Sequence, residues 1–394
     1  MRTLETGGVA VFLTRNGSLR EWINQGLFDR ETALYRRLRE REVGVTLVTY
    51  GGPEDARIGA GALPGIRVCC NRWRLKPHWY RWLIPYLHVR AYRRADLIKT
   101  NQMIGAEFAL RAARFWRKPL IARCGYLWSK NAILEYGENS PQARESLKTE
   151  SEVFEFAERI VVTTRAIRDA VAERFPHRAE RIRVIPNYVD TDLFCPASAT
   201  NETARQDRPP RLCFVGRLSA EKNLENLFAA VEGMDLDLDI VGHGPLRERL
   251  AQRAASNPRI RLAGSLPNNE LPAILRGAAA FVFPSLYEGH PKAPIEAMAC
   301  GLPVIANDVP GLNDLITHGE TGWLCGSDAA SIRAALERVL PDEGLRRRLS
   351  ENARRYALDH FSLDRVVDLE ISVYREIVEA RAADRTGRRR ELAT

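Results

Sequence analysis

Short apolar runs recur along the whole chain, and longer segments with helical periodicity separate them. Each run is too short to be a helix and is rich in β-branched and aromatic residues, which indicates a strand buried on both faces. The runs are Val9–Leu13, Val45–Thr49, Ile66–Cys70, Leu97–Ile98, Leu120–Ala122, Ile160–Val162, Val184–Ile185, Leu212–Val215, Leu238–Val241, Ile260–Gly264, Phe281–Phe283 and Val304–Ala306. Strands that alternate with helices in this way predict an α/β fold with doubly wound parallel sheets.

The chain has 394 residues, which is enough for two domains of ordinary size. A polar, proline-bearing stretch without periodicity, Pro196–Pro210, separates two sets of alternating strands and helices. We therefore predict a Rossmann-like domain over residues 1–190, a linker over 191–210, a second Rossmann-like domain over 211–360, and a C-terminal helix with a basic tail over 361–394.

The formal net charge of +9 indicates anionic partners, and by itself it leaves nucleic acid, phospholipid headgroups and phosphorylated substrates open. Seven cysteines are scattered without a CxxC pair, which favours reduced thiols over a disulfide framework or a zinc site. Met1–Gly8 carries no apolar signal region, and no apolar run approaches the length of a transmembrane helix. We therefore expect a cytoplasmic protein.

The stretch Pro284–Ala306 predicts a strand–loop–helix corner. It follows one apolar run and ends with another, and a loop rich in glycine and proline lies between them. We expect its short helix to begin near Pro294 and to end at Gly301. Such a corner directs free backbone N–H groups at a ligand over the end of the strand, and the helix dipole favours an anion there.

Two carboxylates belong to this corner, Glu288 in the loop and Glu296 in the first turn of the helix. Carboxylates accept paired hydrogen bonds from diols, so the two together suit a ligand that carries many hydroxyls and a phosphate. Each glutamate by itself has a simpler explanation: Glu288 as a solvated loop residue, and Glu296 as a complement to the helix dipole.

Two loops of the second domain carry further polar signals. Arg217 follows Gly216 directly after a strand, and Lys222 precedes a helix. Two cations at the carboxyl end of a parallel strand, beside a helix N-terminus, suit a diphosphate. The next strand leads into Gly242-His243-Gly244, whose glycines permit a tight turn.

Taken together, Glu288, Glu296 and the Gly/Pro framing resemble the signature of the retaining, nucleotide-sugar-dependent glycosyltransferases of family four, also called group 1, which have the GT-B fold. The resemblance runs through most of the C-terminal half. It implies that Arg217 and Lys222 hold the nucleotide diphosphate and stabilise the leaving group. It also implies that Glu288 contacts the donor sugar and that Glu296 binds the ribose hydroxyls.

The resemblance thus gives a catalytic set of Glu288, Arg217 and Lys222. The donor-binding set that it implies is Gly216, Arg217, Lys222, Gly242, His243, Gly244, Glu288, Gly289, His290, Pro291, Lys292 and Glu296. Many members carry Gly-Phe-Gly where this chain has Gly289-His290-Pro291. The family's account of catalysis needs no covalent nucleophile, because the departing phosphate accepts the proton of the acceptor.

The same resemblance implies C-terminal helices that brace the first domain, and a UDP- or GDP-sugar donor without a cofactor. We expect no metal ion, because the seven histidines form no HxH or HxxxH cluster and the clamp cations supply positive charge. Asp190–Asp192 and Asp235–Asp239 superficially match a metal-binding DxD motif, and we interpret both as structural.

In its first domain the family usually has a Gly-rich loop after the first strand and a histidine after a later one. Asn16 and Gly17 match the loop, whereas Leu120–Tyr126 lacks the histidine. We therefore give Arg123 the electrostatic role as a hypothesis. The implied acceptor is a glycan or a lipid-linked glycan, as in the synthesis of cell-surface polysaccharide or glycolipid.

The segment Arg72–Arg94 combines aromatic and basic side chains without one acidic residue. Trp79, Trp82, Leu83 and Tyr86 fall on one helical face. Either this face packs on the sheet while the arginines are solvated, or it contacts an anionic membrane surface. The second alternative predicts a peripheral protein on the inner face of the membrane.

Other functions fit parts of the sequence. A nucleotide-sugar epimerase of two-Rossmann type needs no second acceptor, and a sugar phosphorylase needs a pyridoxal lysine, which is not evident. A nucleic-acid-binding protein is suggested by the charge, but no recognised fold motif supports it and we expect no nucleic-acid partner.

Overall fold

The computed structural model describes residues 7–197 and 209–391, with side chains described as far as residue 383. These residues form two compact units. The first unit contains the described residues within 1–24, 30–185 and 366–394, and the second contains those within 25–29 and 186–365. Most of the predicted linker, residues 198–208, lies outside the described residues, and so does the end of the basic tail, 392–394.

The first unit is built on a seven-stranded sheet in which every pairing is parallel. Its strands are β1 (Val9–Phe12), β2 (Val45–Val48), β3 (Arg67–Cys69), β4 (Leu97–Thr100), β5 (Leu120–Cys124), β6 (Arg159–Val162) and β7 (Ile182–Val184). The strand order is β3-β2-β1-β4-β5-β6-β7. The chain therefore reverses its direction of winding between β1 and β4, which confirms the predicted doubly wound sheet.

Nine α-helices of the described chain lie between these strands. They are α1 (Leu19–Asn24), α2 (Phe28–Glu40), α3 (Pro53–Ala62), α4 (Pro77–Leu87), α5 (Val89–Arg94), α6 (Ala106–Trp116), α7 (Trp128–Tyr136), α8 (Pro141–Phe156) and α9 (Arg165–Arg174). Local sequence explains two of the starts: Ser140 accepts from the N–H of Ala143, and Thr164 accepts from the N–H of Ile167. None of the described helices combines the length and the apolar character that a membrane crossing requires.

The second unit has a six-stranded sheet, also parallel, with the order β10-β9-β8-β11-β12-β13. Its strands are β8 (Arg211–Val215), β9 (Asp237–Val241), β10 (Ile260–Gly264), β11 (Ala280–Phe283), β12 (Val304–Asn307) and β13 (Trp323–Cys325). Its α-helices are α10 (Leu224–Ala230), α11 (Arg247–Ala254), α12 (Leu271–Gly277), α13 (Lys292–Ala299), α14 (Ala329–Val339) and α15 (Glu343–Phe361). Here the winding reverses between β8 and β11.

The last helix, α16 (Leu363–Glu391), belongs to the first unit from Val366 onward, as the resemblance implied. It is fixed there by a buried ion pair, since Lys99 Nζ at β4 lies 2.5 Å from Glu370 Oε1 and 3.2 Å from Tyr374 Oη. Burial lowers the pKa of Lys99 to about 8, while the charge of Glu370 opposes this change.

The structure corrects the view that the aromatic face of α4 packs on the sheet. Tyr80 and Ile84 make that contact, and both are buried. Trp79 and Trp82 lie on the other side of the helix, where 57% and 63% of their surface is exposed. Both faces of α4 are aromatic, so periodicity alone did not identify the buried one. The Tyr80 hydroxyl donates to the carbonyl of Thr49, which fixes the orientation of the helix.

Candidate active site

The predicted donor residues of the second unit gather at the switch point of its sheet. Gly216 and Arg217 follow β8, and Glu288 follows β11, the neighbouring strand. Because the crossover connections leave these two strands toward opposite faces, a crevice opens beyond their carboxyl ends, where ligands of such sheets bind. The Arg217 side chain is exposed there.

Lys222 and Glu288 form an ion pair in this crevice. Lys222 Nζ donates to Glu288 Oε1, and the Ser285 hydroxyl donates to the same oxygen at 2.6 Å. The side chains of Lys222 and Glu288 are 13% and 11% exposed, so both charges lie largely out of the solvent. Lys222 Nζ also lies 5.2 Å from the ring centroid of Phe283, at the end of β11. The arrangement places one cation and one carboxylate within reach of the same ligand.

The loop Gly242-His243-Gly244 supports the segment that carries Arg217. Gly242 has φ +147°, and a Cβ there would lie 1.8 Å from the carbonyl oxygen of Gly216. Only glycine permits this approach of two backbones. The N–H of Leu218 donates to the carbonyl of His243 at 3.0 Å, whereas the His243 side chain is exposed. The loop thus acts through its backbone.

Glu296 lies in α13 and is 3% exposed. Asn268 Nδ2 donates to its Oε1 at 3.4 Å. The helix starts at Lys292, two residues before the expected position, so Glu296 lies beyond its first turn and not within it as expected; Pro291 occupies the N-cap. Pro291 lacks an N–H, so any backbone contact with a ligand comes from its neighbours.

The side chains of His290 and Lys292 contact Asn187 and Tyr188 of the second unit. His290 is 8% exposed, and its Nδ1 accepts from the N–H of Asn187 at 3.3 Å. Asn187 Nδ2 donates to the carbonyl of His290 at 2.6 Å. Lys292 Nζ lies 5.0 Å from the ring centroid of Tyr188. The contacts with Asn187 and Tyr188 thus hold the segment from Gly289 to Lys292 in place.

The acceptor residues expected in the first unit come from the loop after β1 and from β5. Asn16, at φ 67°, is exposed, and the N–H of Gly17 donates to the carbonyl of Thr14 at 2.7 Å. Arg123 is 8% exposed, and its Nη1 lies 3.7 Å from Glu370 Oε1. The structure therefore places Arg123 in the buried network of α16.

Three residues that contact or approach the predicted donor residues were not identified from the sequence: Ser285, Asn268 and Gly311. Ser285 lies inside the predicted corner, so its hydroxyl was a visible signal. Asn268 and Gly311 lie in other loops, and only the fold brings them to Glu296 and Glu288.

The two DxD-like motifs have structural partners. Asp239 Oδ1 and Oδ2 accept from Arg261 Nε and Nη2 at 2.7 and 3.0 Å. Asp190 Oδ1 accepts from the N–H groups of Asp192 and Leu193. Within residues 7–197 and 209–391, no three His, Cys, Asp or Glu side chains are grouped as metal ligands.

Comparisons with known proteins match both halves of the chain. A family model described as glycosyl transferases group 1 matches residues 198–356, and one described as glycosyltransferase family 4 matches residues 32–193. The D-inositol 3-phosphate glycosyltransferase of Salinispora tropica is 30% identical over 383 residues, covering 87% of this chain and 79% of the relative.

Solved structures share the fold. Sucrose-phosphate synthase from Thermosynechococcus elongatus gives a TM-score of 0.77 at 23% identity, covering 95% of this chain and 100% of the other. Anabaena HepE, solved in complex with UDP and glucose, gives a TM-score of 0.73 at 18% identity, and the match covers 94% of this chain and 100% of HepE.

Proposed function

The chain belongs to the group 1 glycosyltransferases, and we propose that it is a retaining hexosyltransferase that moves a sugar from a nucleotide-diphosphate sugar to a glycan or lipid-linked acceptor. The observation that carries the proposal is the ion pair of Lys222 and Glu288 at the switch point of the second sheet, beside Arg217. HepE, which shares the fold, was solved with UDP and glucose, and this supports a nucleotide-sugar donor.

In the proposed complex, Arg217 and Lys222 hold the diphosphate, and Glu296 accepts hydrogen bonds from the ribose hydroxyls. Glu288, oriented by Ser285, meets the donor sugar. The N-terminus of α13 adds a positive partial charge near the phosphates. Arg217, Lys222 and Glu288 follow strand ends at the same edge of the sheet, and Glu296 lies in the helix α13 that follows Glu288, so we expect one ligand to touch all of them.

Retention follows if the acceptor attacks the face from which the nucleotide leaves. The bond between the anomeric carbon and the phosphate oxygen breaks, and the acceptor oxygen bonds to the same face. The proton of the acceptor hydroxyl passes to the departing phosphate. The protein then mainly stabilises the charge that develops on that phosphate, which is the role proposed for Arg217 and Lys222.

We expect Glu296→Gln to weaken the binding of UDP or GDP by about 1–3 kcal/mol, because a charge-assisted hydrogen bond to the ribose is lost. Calorimetric titration of both variants with UDP and GDP measures this change. The nucleotide that binds should also raise the melting temperature of the wild type, and duplex DNA should not.

Glu343→Gln is the matched control, since Glu343 lies exposed in the first turn of α15 and complements a helix dipole only. A Glu296→Gln variant that loses stability but keeps its nucleotide affinity would leave Glu296 a structural role only and exclude the ribose role.

We further propose that no metal ion takes part, because Arg217 and Lys222 already supply positive charge where the diphosphate binds. Turnover with the nucleotide-sugar should be unchanged by EDTA. A complete loss of turnover that magnesium or manganese restores would contradict this proposal.

The exposed face of α4 supports a location at an anionic membrane surface. Trp79, Trp82, Leu83 and Tyr86 are all exposed, and Phe115 of α6, 4.9 Å from Tyr86 by ring centroids, is 59% exposed. The exposed cations of the same segment are Arg72, Arg74, Lys76, Arg90, Arg93 and Arg94. Aromatic rings suit the headgroup layer, and the cations suit its phosphates. We therefore propose a peripheral enzyme on the cytoplasmic face of the membrane.

Vesicle co-sedimentation at low salt tests this location. The wild type should bind vesicles of phosphatidylcholine with phosphatidylglycerol, and binding should weaken as salt rises. Each cation near an anionic surface contributes about 1 kcal/mol, so neutralising four should remove about 4 kcal/mol. The variant replaces Arg81, Arg90, Arg93 and Arg94 with glutamine.

A control variant makes the same change of charge on the second unit, at Arg249, Arg253, Arg347 and Arg348. It should bind vesicles as the wild type does. Wild-type protein that ignores anionic vesicles at low salt would exclude the membrane location and favour a soluble acceptor.

A further inference from the structure

A cavity of about 380 Å³ lies in the first unit, at the carboxyl end of its sheet. Its walls come from the loop after β1 and from the helices α4, α6 and α8. The N–H of Arg15, after β1, donates to the carbonyl of Ile104, after β4, at 3.0 Å. The cavity therefore opens at the switch point of this sheet, where doubly wound folds bind their ligands.

Arg15 joins two carboxylates in the wall of the cavity. Its Nη2 lies 2.8 Å from Glu107 Oε1 of α6 and 2.7 Å from Glu145 Oε1 of α8. Burial acts to lower the pKa of Arg15, but the two carboxylates, led by the charge of Glu107, raise it overall. Since one cation faces two anions, the carboxylates keep the capacity to accept hydrogen bonds from hydroxyl groups.

Two further arginines line the same cavity. Arg81 comes from α4 and Arg111 from α6, and no ion pair within the described part of the chain neutralises either of them. The Arg111 guanidinium lies 4.7 Å from the ring centroid of Trp82 and 5.7 Å from that of Phe108. The rings fix the guanidinium without cancelling its charge, so the cavity offers an anion two cationic groups.

Three buried polar atoms in this wall have no hydrogen-bond partner among the described residues. They are Arg15 Nε, Glu107 Oε2 and Arg111 Nη1. Buried donors and acceptors are normally satisfied, and each one left alone is unfavourable. The set contains two donors and one acceptor, which matches a ligand with both an anionic oxygen and a hydroxyl.

We propose that this cavity binds a phosphate ester with neighbouring hydroxyl groups, as the phosphorylated part of the acceptor, a role that rests on the proposed function. Arg81 and Arg111 meet the phosphate oxygens, Glu107 and Glu145 accept from the hydroxyls, and Trp82 covers the carbon skeleton. A soluble polyol phosphate and a phospholipid headgroup both carry this chemistry. Trp82 also belongs to the exposed aromatic face of α4, so a headgroup can reach the cavity from that side.

Calorimetric titration with sn-glycerol 3-phosphate, glycerol and inorganic phosphate tests the site. The wild type should bind glycerol 3-phosphate about tenfold more tightly than inorganic phosphate, and glycerol least. Arg111→Gln should weaken the binding of glycerol 3-phosphate by tenfold or more. Arg114 is an exposed position on the same helix, and Arg114→Gln should leave this affinity unchanged.

Glu145→Gln keeps the test decisive if Arg111→Gln fails to fold. It should weaken the binding of glycerol 3-phosphate and leave the binding of inorganic phosphate unchanged, because only the ester carries alcohol hydroxyls. Equal affinity of glycerol 3-phosphate for wild type, Arg111→Gln and Glu145→Gln would overturn the proposal, and so would the absence of saturable binding to the wild type.

Vesicles separate the two sources of the phosphate. If the protein binds phosphatidylglycerol vesicles more tightly than phosphatidylserine vesicles at equal mole fraction, and Arg111→Gln loses this preference, the site takes a lipid headgroup. If the protein binds glycerol 3-phosphate without this preference, the site takes a free polyol phosphate.

A titration with UDP and GDP on the same samples separates this site from the proposed function. If the protein binds UDP but not glycerol 3-phosphate, the proposed site is wrong and the proposed function stands. If it binds glycerol 3-phosphate but neither UDP nor GDP, the site stands and the proposed function is wrong.

Discussion

Lys222→Ala will lower kcat/KM for the nucleotide-sugar by about 10²–10³-fold, and Arg217→Ala will have an effect of similar size. Both side chains are proposed to stabilise the charge that develops on the departing diphosphate. A group of this kind acts mainly in the transition state, so the loss should appear in kcat as well as in kcat/KM. Steady-state kinetics with the donor identified by titration measures it.

The fold should survive both substitutions. Lys222 ends a single turn of 3-10 helix, Ala220–Lys222, and Arg217 lies in the exposed loop after β8, so neither belongs to the hydrophobic core. Lys222→Ala leaves Glu288 with the Ser285 hydroxyl as a remaining donor, which limits the cost of the unpaired carboxylate. Melting temperatures near the wild-type value are expected.

Arg249→Ala is the control for the loss of an arginine from the same unit, because Arg249 is exposed on α11 and pairs with Glu225. It should retain full turnover. Near-normal turnover in both Lys222→Ala and Arg217→Ala would show that the diphosphate binds elsewhere.

Much of the fold could be predicted because buried parallel strands have a strong local signal. Each predicted apolar run overlaps a strand, and the helix expected from about Asp29 to Arg41 is α2, Phe28–Glu40. The strand that was missed, β13, has only three residues, Trp323–Cys325, all half-buried at the edge of the sheet. Its three apolar residues stand between Gly322 and Gly326 and are too few to show the alternation that identifies a strand in sequence.

The residues of the proposed donor site could be placed at strand ends from the sequence, because the apolar runs that precede them show where the strands end. The ion pair of Lys222 with Glu288 was not predictable, since it depends on which strands are neighbours in the sheet. The same limit applies to Arg123, whose contact with Glu370 comes from a helix far along the chain. Tertiary proximity, and not residue type, determines each of these contacts.

Gly311→Ala will lower kcat/KM by about a hundredfold through Glu288, although residue 311 is not proposed to touch the substrate. Gly311 has φ +87°, and a Cβ there would lie 2.4 Å from the carbonyl oxygen of Glu288 and 2.7 Å from that of Gly289. Both obstacles are backbone atoms, so the loop that carries Glu288 has to move. A misplacement of about 1 Å can reduce a rate by that factor.

Gly319→Ala is the control that separates the displacement of the Glu288 loop from the backbone strain that alanine suffers at positive φ. Gly319 has φ +75°, and a Cβ there would meet no atom within 4 Å. Both substitutions force alanine into the left-handed region, so each should lower the free energy of unfolding by about 1–2 kcal/mol. Only Gly311→Ala should also lose turnover, because only its methyl group pushes on the Glu288 carbonyl. Equal turnover in the two variants, measured at a temperature where both are folded, would mean that the position of this loop does not control the reaction, and the role proposed for Glu288 would lose its support.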